Sequence, residues 1–329
     1  ANGLPNNFFG TDNPAGANRN VLNNSVIENR LISFFGRVNY DLANRYLLTF
    51  TFRRDGSSRF GPDSRWGNFP SAAFGWKFLR EPFLEFLQGT LSDAKLRVGW
   101  GVTGNQEIGD YLYLPRYLPG DALAQYQFGD QFLTTIRPQA FDPGLQWEET
   151  ETVNIGLDLE FLQGRFNASI DAYQKTTTEL LFDVSVPAGT NLSNRVLTNI
   201  GSLENRGIEL VIDGYVIDSD DFNWNLGFNA AYNENEITAT IGNTGDDFLG
   251  LLTGGIGGAV GNNIQVIRTG SPINSFFVLE HILNEDGNPR NDLTDFNDDG
   301  TIDDLDMYVD QNGDGIINES DRVVGEQPA

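Results

Sequence analysis

The feature that most constrains this chain is a set of long segments in which apolar and polar residues alternate. In residues 152–161 one face carries only apolar side chains, namely Val153, Ile155, Leu157, Leu159 and Phe161. Alternation with a period of two predicts a β-strand with one apolar and one polar face. With this segment, eight strands are predicted, the others at 33–42, 45–54, 71–78, 94–102, 165–173, 207–213 and 222–232.

The lengths of these strands and of their connections favour a membrane-spanning sheet. Strands in soluble sheets usually have about 5–6 residues, whereas a tilted strand that crosses a bilayer needs about 9–11. Short turns are predicted at 42–44, 162–164 and 218–221, with a longer one at 80–93 that contains a helical turn. Long links occupy 55–68, 105–149, 178–206 and the region after 235.

Short connections on one side and long ones on the other are typical of outer-membrane barrels, with periplasmic turns and extracellular loops. The pattern therefore predicts an all-β fold, an antiparallel transmembrane β-barrel segment of about eight long strands. A soluble β-sandwich or jelly roll has the same alternation, and in that case the apolar face would be a core. Periodicity alone does not separate the two.

Composition excludes several functions. The net charge of −25 argues against nucleic acid as a partner, since such partners are bound through basic residues. The chain has no cysteine and one histidine, His281, and it lacks a Gly-x-Ser-x-Gly motif and a phosphate loop. The glycine-rich stretch at 254–263 has Val260 where a dinucleotide loop needs its third glycine, and is interpreted as a mobile extracellular loop. We therefore expect no enzyme activity.

Two acidic loops near the end of the chain predict calcium binding. They repeat the EF-hand pattern, in which oxygen ligands stand at loop positions 1, 3, 5, 9 and 12 and glycine at position 6. The first loop would bind through Asp295, Asn297, Asp299, Asp303 and Asp306. The second loop would bind through Asp310, Asn312, Asp314, Asn318 and Asp321.

The two loops differ from a full EF-hand in two respects. Only three residues, 307–309, separate them, so no helix fits between them, and position 12 is Asp rather than Glu. They are similar to dockerin or thrombospondin-repeat loops, and a structural Ca²⁺ is expected. The alternative is a set of Asx-rich turns with a solvated acidic surface.

Aromatic residues in the long link at 105–149 are candidates for contact with a ligand or with a partner that covers the loops. The alternative is that they pack among neighbouring loops. The candidates are Tyr111, Tyr113, Tyr117, Tyr126 and Trp147.

Long stretches of the sequence resemble one family. "NRYLLTFTFRRDGSSRFGPDSRWGNFPSAAFGWKF" at 44–78 and "LSDAKLRVGWGVTGNQEIGDY" at 91–111 are similar to the C-terminal barrel half of SusC/RagA-type TonB-dependent outer-membrane transporters. The resemblance continues in order through 147–182, 186–212, 264–277 and 310–325. It implies a location in the outer membrane of a Gram-negative bacterium, in contact with its lipid, and active import of oligosaccharide or oligopeptide cargo.

The resemblance also implies partners and a layout. The partners are a SusD-like surface lipoprotein that acts as a lid and the TonB–ExbB–ExbD complex, engaged through a part outside this chain. We expect an entry segment at 1–30, a partial barrel at 31–234, and a long extracellular loop with the calcium loops at 235–329. Such barrels have about 22 strands, so eight alone would form an open sheet. The alternative function is a calcium-stabilised secreted β-rich adhesin or dockerin-type binding module.

Overall fold

The computed structural model describes residues 27–119, 125–186, 189–240, 249–256, 263–290, 295, 297 and 299–325. Most of the predicted entry segment at 1–30 lies outside the described residues. None of the described helices is both long enough and apolar enough to cross a membrane.

All eight predicted strands are confirmed, and they form one antiparallel sheet. In chain order they are β1 (Leu31–Leu42), β2 (Tyr46–Ser57), β3 (Trp66–Trp76), β4 (Leu91–Asn105), β5 (Glu148–Phe161), β6 (Phe166–Thr178), β7 (Ser202–Asp218) and β8 (Asn223–Ala239). Each strand pairs with its neighbours in the sequence, so the sheet is an up-and-down meander that is open at β1 and β8 in the described residues. β8 continues five residues, 235 to 239, beyond the predicted end of the barrel segment.

The register gathers the apolar side chains on one face. A single row of paired residues crosses the whole sheet through Leu42, Tyr46, Trp76, Leu96, Leu157, Ile170, Leu210 and Ala230. In the described residues no second layer covers this face: Phe50, Ile155, Ile208 and Phe228 are all about half exposed or more. A soluble sandwich would bury these side chains between two sheets. The exposed apolar face therefore fits contact with lipid.

The opposite face is polar and carries an ion cluster. Arg97 on β4 donates to both oxygens of Asp158 on β5, each at 2.8 Å, and to Asp171 on β6 at 2.9 Å. Ser169 donates to Asp158 at 2.9 Å. These partly exposed charges connect three neighbouring strands, and each is paired and hydrogen-bonded, as half-buried charges require.

The short turns lie together at one end of the sheet, and the longest of them carries the predicted helical turn, a 3₁₀ helix at Pro82–Leu87. Buried Glu81, just before this helix, accepts hydrogen bonds from the Tyr46 hydroxyl at 2.6 Å, the Trp76 indole at 3.2 Å and Arg45 at 3.2 Å. The bond from Tyr46 and then the bond from Trp76 lower the pKa of Glu81 from its ordinary value, and the charge of Arg45 adds to the effect. The turn is thus pinned to the ends of β2 and β3.

A second, smaller sheet follows β8, within the region predicted as one long loop. Its four antiparallel strands are Leu251–Gly255, Asn263–Ile267, Ser275–Leu279 and Arg322–Val324. The glycine-rich stretch predicted as a mobile loop is thus partly strand: Gly254 and Gly255 end one strand and Asn263 begins the next, while 257–262 lies outside the described residues.

The small sheet is attached to the end of β8. Ile237 is fully buried, its N–H donates to Ser271 O at 2.9 Å, and its carbonyl accepts from Gly270 N at 2.8 Å. Val266 and Phe277 are also buried and give the small sheet a core of its own.

The assignment of the two faces predicts that a charge destabilises one of two neighbouring positions on β8 much more than the other. Phe228→Arg places a charge on the apolar face and should lower the free energy of unfolding by about 2–4 kcal/mol if that face contacts the bilayer interior. The measurement is urea unfolding of the full-length protein in lipid vesicles. Asn229→Arg, on the polar face, is the matched control and should change stability little; equal losses in both variants would contradict the assignment.

Candidate functional site

The long links pack into one body at the end of the sheet opposite the short turns, called here the loop body (55–68, the described part of 105–149, and the described part of 178–202). Its core consists of Phe60, Phe69, Ile108, Leu145 and Trp147. The Trp147 ring lies 5.2 Å from that of Phe60 and 5.3 Å from that of Phe69, centroid to centroid. The long links are therefore a folded structure with a buried core, in which aromatic packing contributes to stability.

Two glycines let the core approach the sheet. A Cβ on Gly104 would lie 2.1 Å from the Phe69 ring, and a Cβ on Gly67 would lie 2.3 Å from it. Only glycine at these two strand positions leaves room for the ring between β3 and β4. The core therefore packs directly against the ends of these two strands.

Asparagine side chains connect the links within the loop body. Asn199 donates to the carbonyls of Gln146 at 3.0 Å and Glu179 at 2.8 Å, and its side-chain oxygen accepts from Gln146 N at 2.9 Å. Asn191 exchanges a similar pair of bonds with the backbone of Phe141. These bonds satisfy backbone groups that have no strand partner. Sequence analysis did not identify Asn191, Asn199 or Phe60, because their roles depend on contacts between distant links.

The structure separates the five predicted aromatic contact residues into two groups. Trp147 is 6% exposed, in the core of the loop body. The Tyr111 hydroxyl donates to Glu28 O at 2.9 Å and accepts from Glu28 N at 3.1 Å, so it fastens the chain ahead of β1 to the loop body. Tyr113 is half-buried. Tyr117 and Tyr126 are 64% and 63% exposed, which leaves their rings available for contact.

The two exposed tyrosines lie on two short antiparallel strand pairs that carry further exposed apolar residues. Arg116–Pro119 pairs with Ile136–Gln139, and Gln125–Phe128 pairs with Gln131–Thr134. We call the exposed apolar residues of these strands the aromatic hairpin: Tyr117, Tyr126, Phe128, Phe132, Leu133 and Ile136. Clusters of large exposed apolar side chains are candidates for interaction sites. The four short strands were not predicted, because their runs of four residues are too brief for periodicity to show.

In their described residues the two predicted calcium loops share the same turn and the same closing hydrogen bonds. Gly300 N donates to Asp295 Oδ2 at 2.9 Å in the first loop, and Gly315 N donates to Asp310 Oδ2 at 2.8 Å in the second. Gly300 and Gly315 have φ of 88° and 79°, the left-handed region that the sharp turn at position 6 requires. Each loop ends in a 3₁₀ turn, Asp304–Asp306 and Glu319–Asp321, rather than in an EF-hand helix.

The carboxylates at position 12 are the most buried groups of the loops. Asp306 and Asp321 are 1% and 0% exposed. Asp321 accepts from Gln311 N at 3.1 Å and Asn318 N at 2.8 Å, and Asp306 accepts from Asn297 N at 3.2 Å and Asp303 N at 3.0 Å. Each carboxylate thus joins the beginning of its loop to the end.

Two observations bear on whether the loops fit a cation. Asp295 Oδ1 is buried and has no hydrogen-bond partner in the described residues, as expected for an oxygen that ligates a metal. The Gly315 N–H, followed by those of Gly313 and Asp314, lowers the pKa of Asp310, so this carboxylate stays ionised at neutral pH.

The cation would need further oxygen donors. Within the described ranges, no three Asp, Glu, His or Cys side chains converge into a preformed metal cluster. A cation in either loop would therefore also use Asn297 or Asn312 and backbone carbonyls, a ligand set that suits Ca²⁺.

Comparison with known proteins identifies relatives over most of the chain. Residues 2–269 match the family model described as TonB dependent receptor-like, beta-barrel. The chain is 46% identical to the TonB-dependent receptor SusC of Bacteroides thetaiotaomicron over 92% of this chain and 29% of the relative. It is 39% identical to the TonB-dependent receptor P39 of Formosa agariphila, over 71% of this chain and 22% of the relative.

Solved structures show the same architecture. The RagAB peptide transporter matches with a TM-score of 0.65 at 28% identity, over 78% of this chain and 26% of that one. The open-open state of the RagAB peptide importer matches with a TM-score of 0.63 at 29% identity, over 80% and 26%. The chain spans less than a third of the length of these relatives.

The core of the loop body predicts a local effect of Trp147→Ala. Removing a buried ring of this size typically costs about 3–5 kcal/mol. Because the core joins the links to the end of β3, amide hydrogen exchange of the full-length protein should rise at 141–147 and 58–65, while β4 and β5 stay protected. Tyr117→Ala, which removes an exposed ring, is the control and should leave exchange in these segments unchanged. Unaltered exchange in Trp147→Ala would show that the links do not share a core.

Proposed function

The chain belongs to the TonB-dependent receptor-like β-barrel family, and on that premise we propose that it forms part of the wall and mouth of an outer-membrane importer of oligomeric nutrients. The observation that carries this proposal is the exposed apolar face of the eight-stranded sheet. Such a face is stable only against lipid, because in water it would associate or aggregate. The same face disfavours the alternative of a secreted adhesin.

In this role the two faces have different tasks. The apolar face contacts outer-membrane lipid, and the polar face with Arg97, Asp158 and Asp171 lines the lumen. The loop body stands on the lumenal face at the extracellular end. Import is driven by the TonB–ExbB–ExbD complex acting on a part of the importer outside this chain. The chain contributes no catalytic step, and we expect no enzyme activity.

The loop body meets the cargo, an oligosaccharide or oligopeptide, and a SusD-like lipoprotein that covers the mouth. The aromatic hairpin supports this, because its exposed rings have no partner in the described residues and large apolar side chains dominate binding interfaces. Tyr117 and Tyr126 are the contact residues. Tyr111, Tyr113 and Trp147 act indirectly, since they hold the loop body that presents the hairpin.

The two acidic loops each bind a structural Ca²⁺. The supporting observations are the alternating oxygen donors, the closing hydrogen bonds shared by the described residues of both loops, and Asp295 Oδ1, which has no hydrogen-bond partner among the described residues. A bound cation offsets the concentrated negative charge of this segment. Extracellular calcium sites need affinities of only about 10⁻⁴–10⁻³ M. The ions hold the small sheet and the acidic segment in one shape at the barrel mouth.

The importer proposal is tested on the full-length protein expressed with its neighbouring genes. It should fractionate with outer membranes, migrate differently in gels before and after heating, and co-purify with a lipoprotein. Several-fold less lipoprotein should co-purify with the Tyr117→Ser/Tyr126→Ser double variant than with the wild type. Phe86→Ser, which removes an exposed ring at the opposite end of the sheet, is the control and should recover the normal amount. Recovery of the full-length protein as a soluble monomer without detergent would contradict the proposal.

The calcium proposal is tested by titrating the metal-free full-length protein with CaCl₂ in a calorimeter. We expect two ions to bind and the thermal midpoint to rise. The Asp310→Ala/Asp314→Ala double variant should lose one of the two ions, because it removes positions 1 and 5 of the second loop. Glu319→Ala changes an exposed acid at a non-ligand position of the same loop and should keep both. If millimolar calcium produced neither heat of binding nor a shift of the thermal midpoint, the calcium proposal would be wrong.

A further inference from the structure

The longest link on the short-turn side of the sheet carries two highly exposed aromatic rings. This link occupies 77–90 between β3 and β4 and contains the 3₁₀ helix Pro82–Leu87. Phe83 and Phe86 on this helix are 66% and 77% exposed. They lie at the end of the sheet opposite the loop body, so the contacts proposed for cargo and lipoprotein leave them without a role.

The helix has one side packed against the protein and one side that is exposed. In a 3₁₀ helix, side chains three positions apart eclipse one another. Leu84 and Leu87 form the half-buried pair, and Phe83 and Phe86 form the exposed pair. Glu85 lies between the two rings in sequence and therefore on a different side of the helix. The two exposed rings thus form a single apolar ridge.

The link folds onto the apolar face of the sheet. Glu81, immediately ahead of the helix, accepts hydrogen bonds from the Tyr46 hydroxyl and the Trp76 indole. Both of these side chains belong to the apolar row that crosses the sheet. The Trp76 ring also meets the Phe78 ring edge-on, with 5.8 Å between their centroids. The link is therefore continuous with the face that contacts lipid, and the ridge lies at its border.

The size of the ridge favours lipid over a protein partner. Two phenylalanine rings can bury roughly 300–500 Å² together at most. A specific protein interface takes about 800 Å² from each partner, so the ridge alone is too small for one. Insertion into a bilayer has no such minimum, because each ring gains from leaving water independently of its neighbours.

The charges of the link permit contact with an anionic lipid surface. The whole chain has a net charge of −25, but this link contains two basic and two acidic residues, so its own charge is zero. Arg80 is exposed, and its Nη1 donates to Asn44 O in the neighbouring turn at 3.0 Å. A guanidinium has five N–H donors, so it can bind a lipid phosphate at the same time. Lys77, at the start of the link, is the second basic residue.

We infer that the helix Pro82–Leu87 is an interface anchor that inserts Phe83 and Phe86 into the phospholipid leaflet on the short-turn side. Lys77 and Arg80 bind the headgroup phosphates of the same leaflet. Amphipathic helices lie in this boundary layer, where aromatic rings and long basic side chains are both favoured. The inference rests on the proposed outer-membrane function. It assigns the ends of β3 and β4 a fixed depth in the bilayer.

The test places a bimane fluorophore on one cysteine of the full-length protein. This chain has no cysteine, and any cysteine elsewhere in the protein is replaced by serine. The protein is reconstituted into vesicles of phosphatidylethanolamine and phosphatidylglycerol that contain doxyl-labelled lipid. The doxyl lipid should quench the label of Phe86→Cys several-fold more than that of Glu85→Cys. Iodide on both sides of the membrane should quench the two labels in the reverse order.

A second measurement identifies the occupant in cells. The photo-reactive residue benzoylphenylalanine takes the place of Phe83 in the full-length protein, which is expressed with its neighbouring genes and irradiated. Mass spectrometry should find an adduct with phospholipid. A cross-link to another protein, or to a second copy of the same protein, would overturn the lipid assignment.

The outcomes separate this inference from the importer proposal. If the protein fractionates with outer membranes and co-purifies with its lipoprotein, but iodide quenches the label of Phe86→Cys as strongly as that of Glu85→Cys, the anchor is wrong and the importer stands. If the label is quenched by lipid but no lipoprotein is recovered, the importer is wrong and the anchor stands. Phe86→Ser keeps normal lipoprotein recovery in either case, because the aromatic hairpin lies at the opposite end of the sheet.

Discussion

The structure depends on the antiparallel pairing of every long strand with its neighbours, in the register that keeps the apolar side chains on one face. In a lipid environment each backbone N–H and C=O must find a partner within the protein, and an antiparallel sheet provides those partners along the full length of each strand. Because side chains alternate between faces, a slip of one residue would turn the apolar residues of a strand toward the polar face. The unbroken apolar row from Leu42 to Ala230 shows that all eight strands satisfy this condition together.

The strands are longer than the band of apolar residues that they carry, and the loop body packs against the strand ends that extend beyond this band. On β5, β7 and β8 the apolar face gives way to Glu151, Arg206 and Glu234, and Arg206 pairs with Glu234 at 3.0 Å. Beyond these charged residues the strands continue past the apolar band. The core around Trp147 packs at that end of the sheet, and bonds from Asn191 and Asn199 replace the strand pairing that the links lack.

The two acidic loops and the small sheet form one folded unit. Each loop is closed by its own carboxylates, yet both loops are anchored in the small sheet: Val309 N donates to Glu280 O at 2.9 Å, and the second loop runs directly into the strand that begins at Arg322. The loops and the small sheet are therefore one structure.

The sequence by itself determined the eight long strands, the polarity of their faces, the short turns and the acidic loop pattern. These features are local: a period of two, a turn residue or a ligand spacing is visible within about a dozen residues. Only the tertiary structure decided that Trp147 is a core residue, that Asn199 joins two links, that the region after β8 contains a sheet, and that His281 meets Tyr308. Those contacts join residues far apart in the chain, and packing rather than local preference selects them.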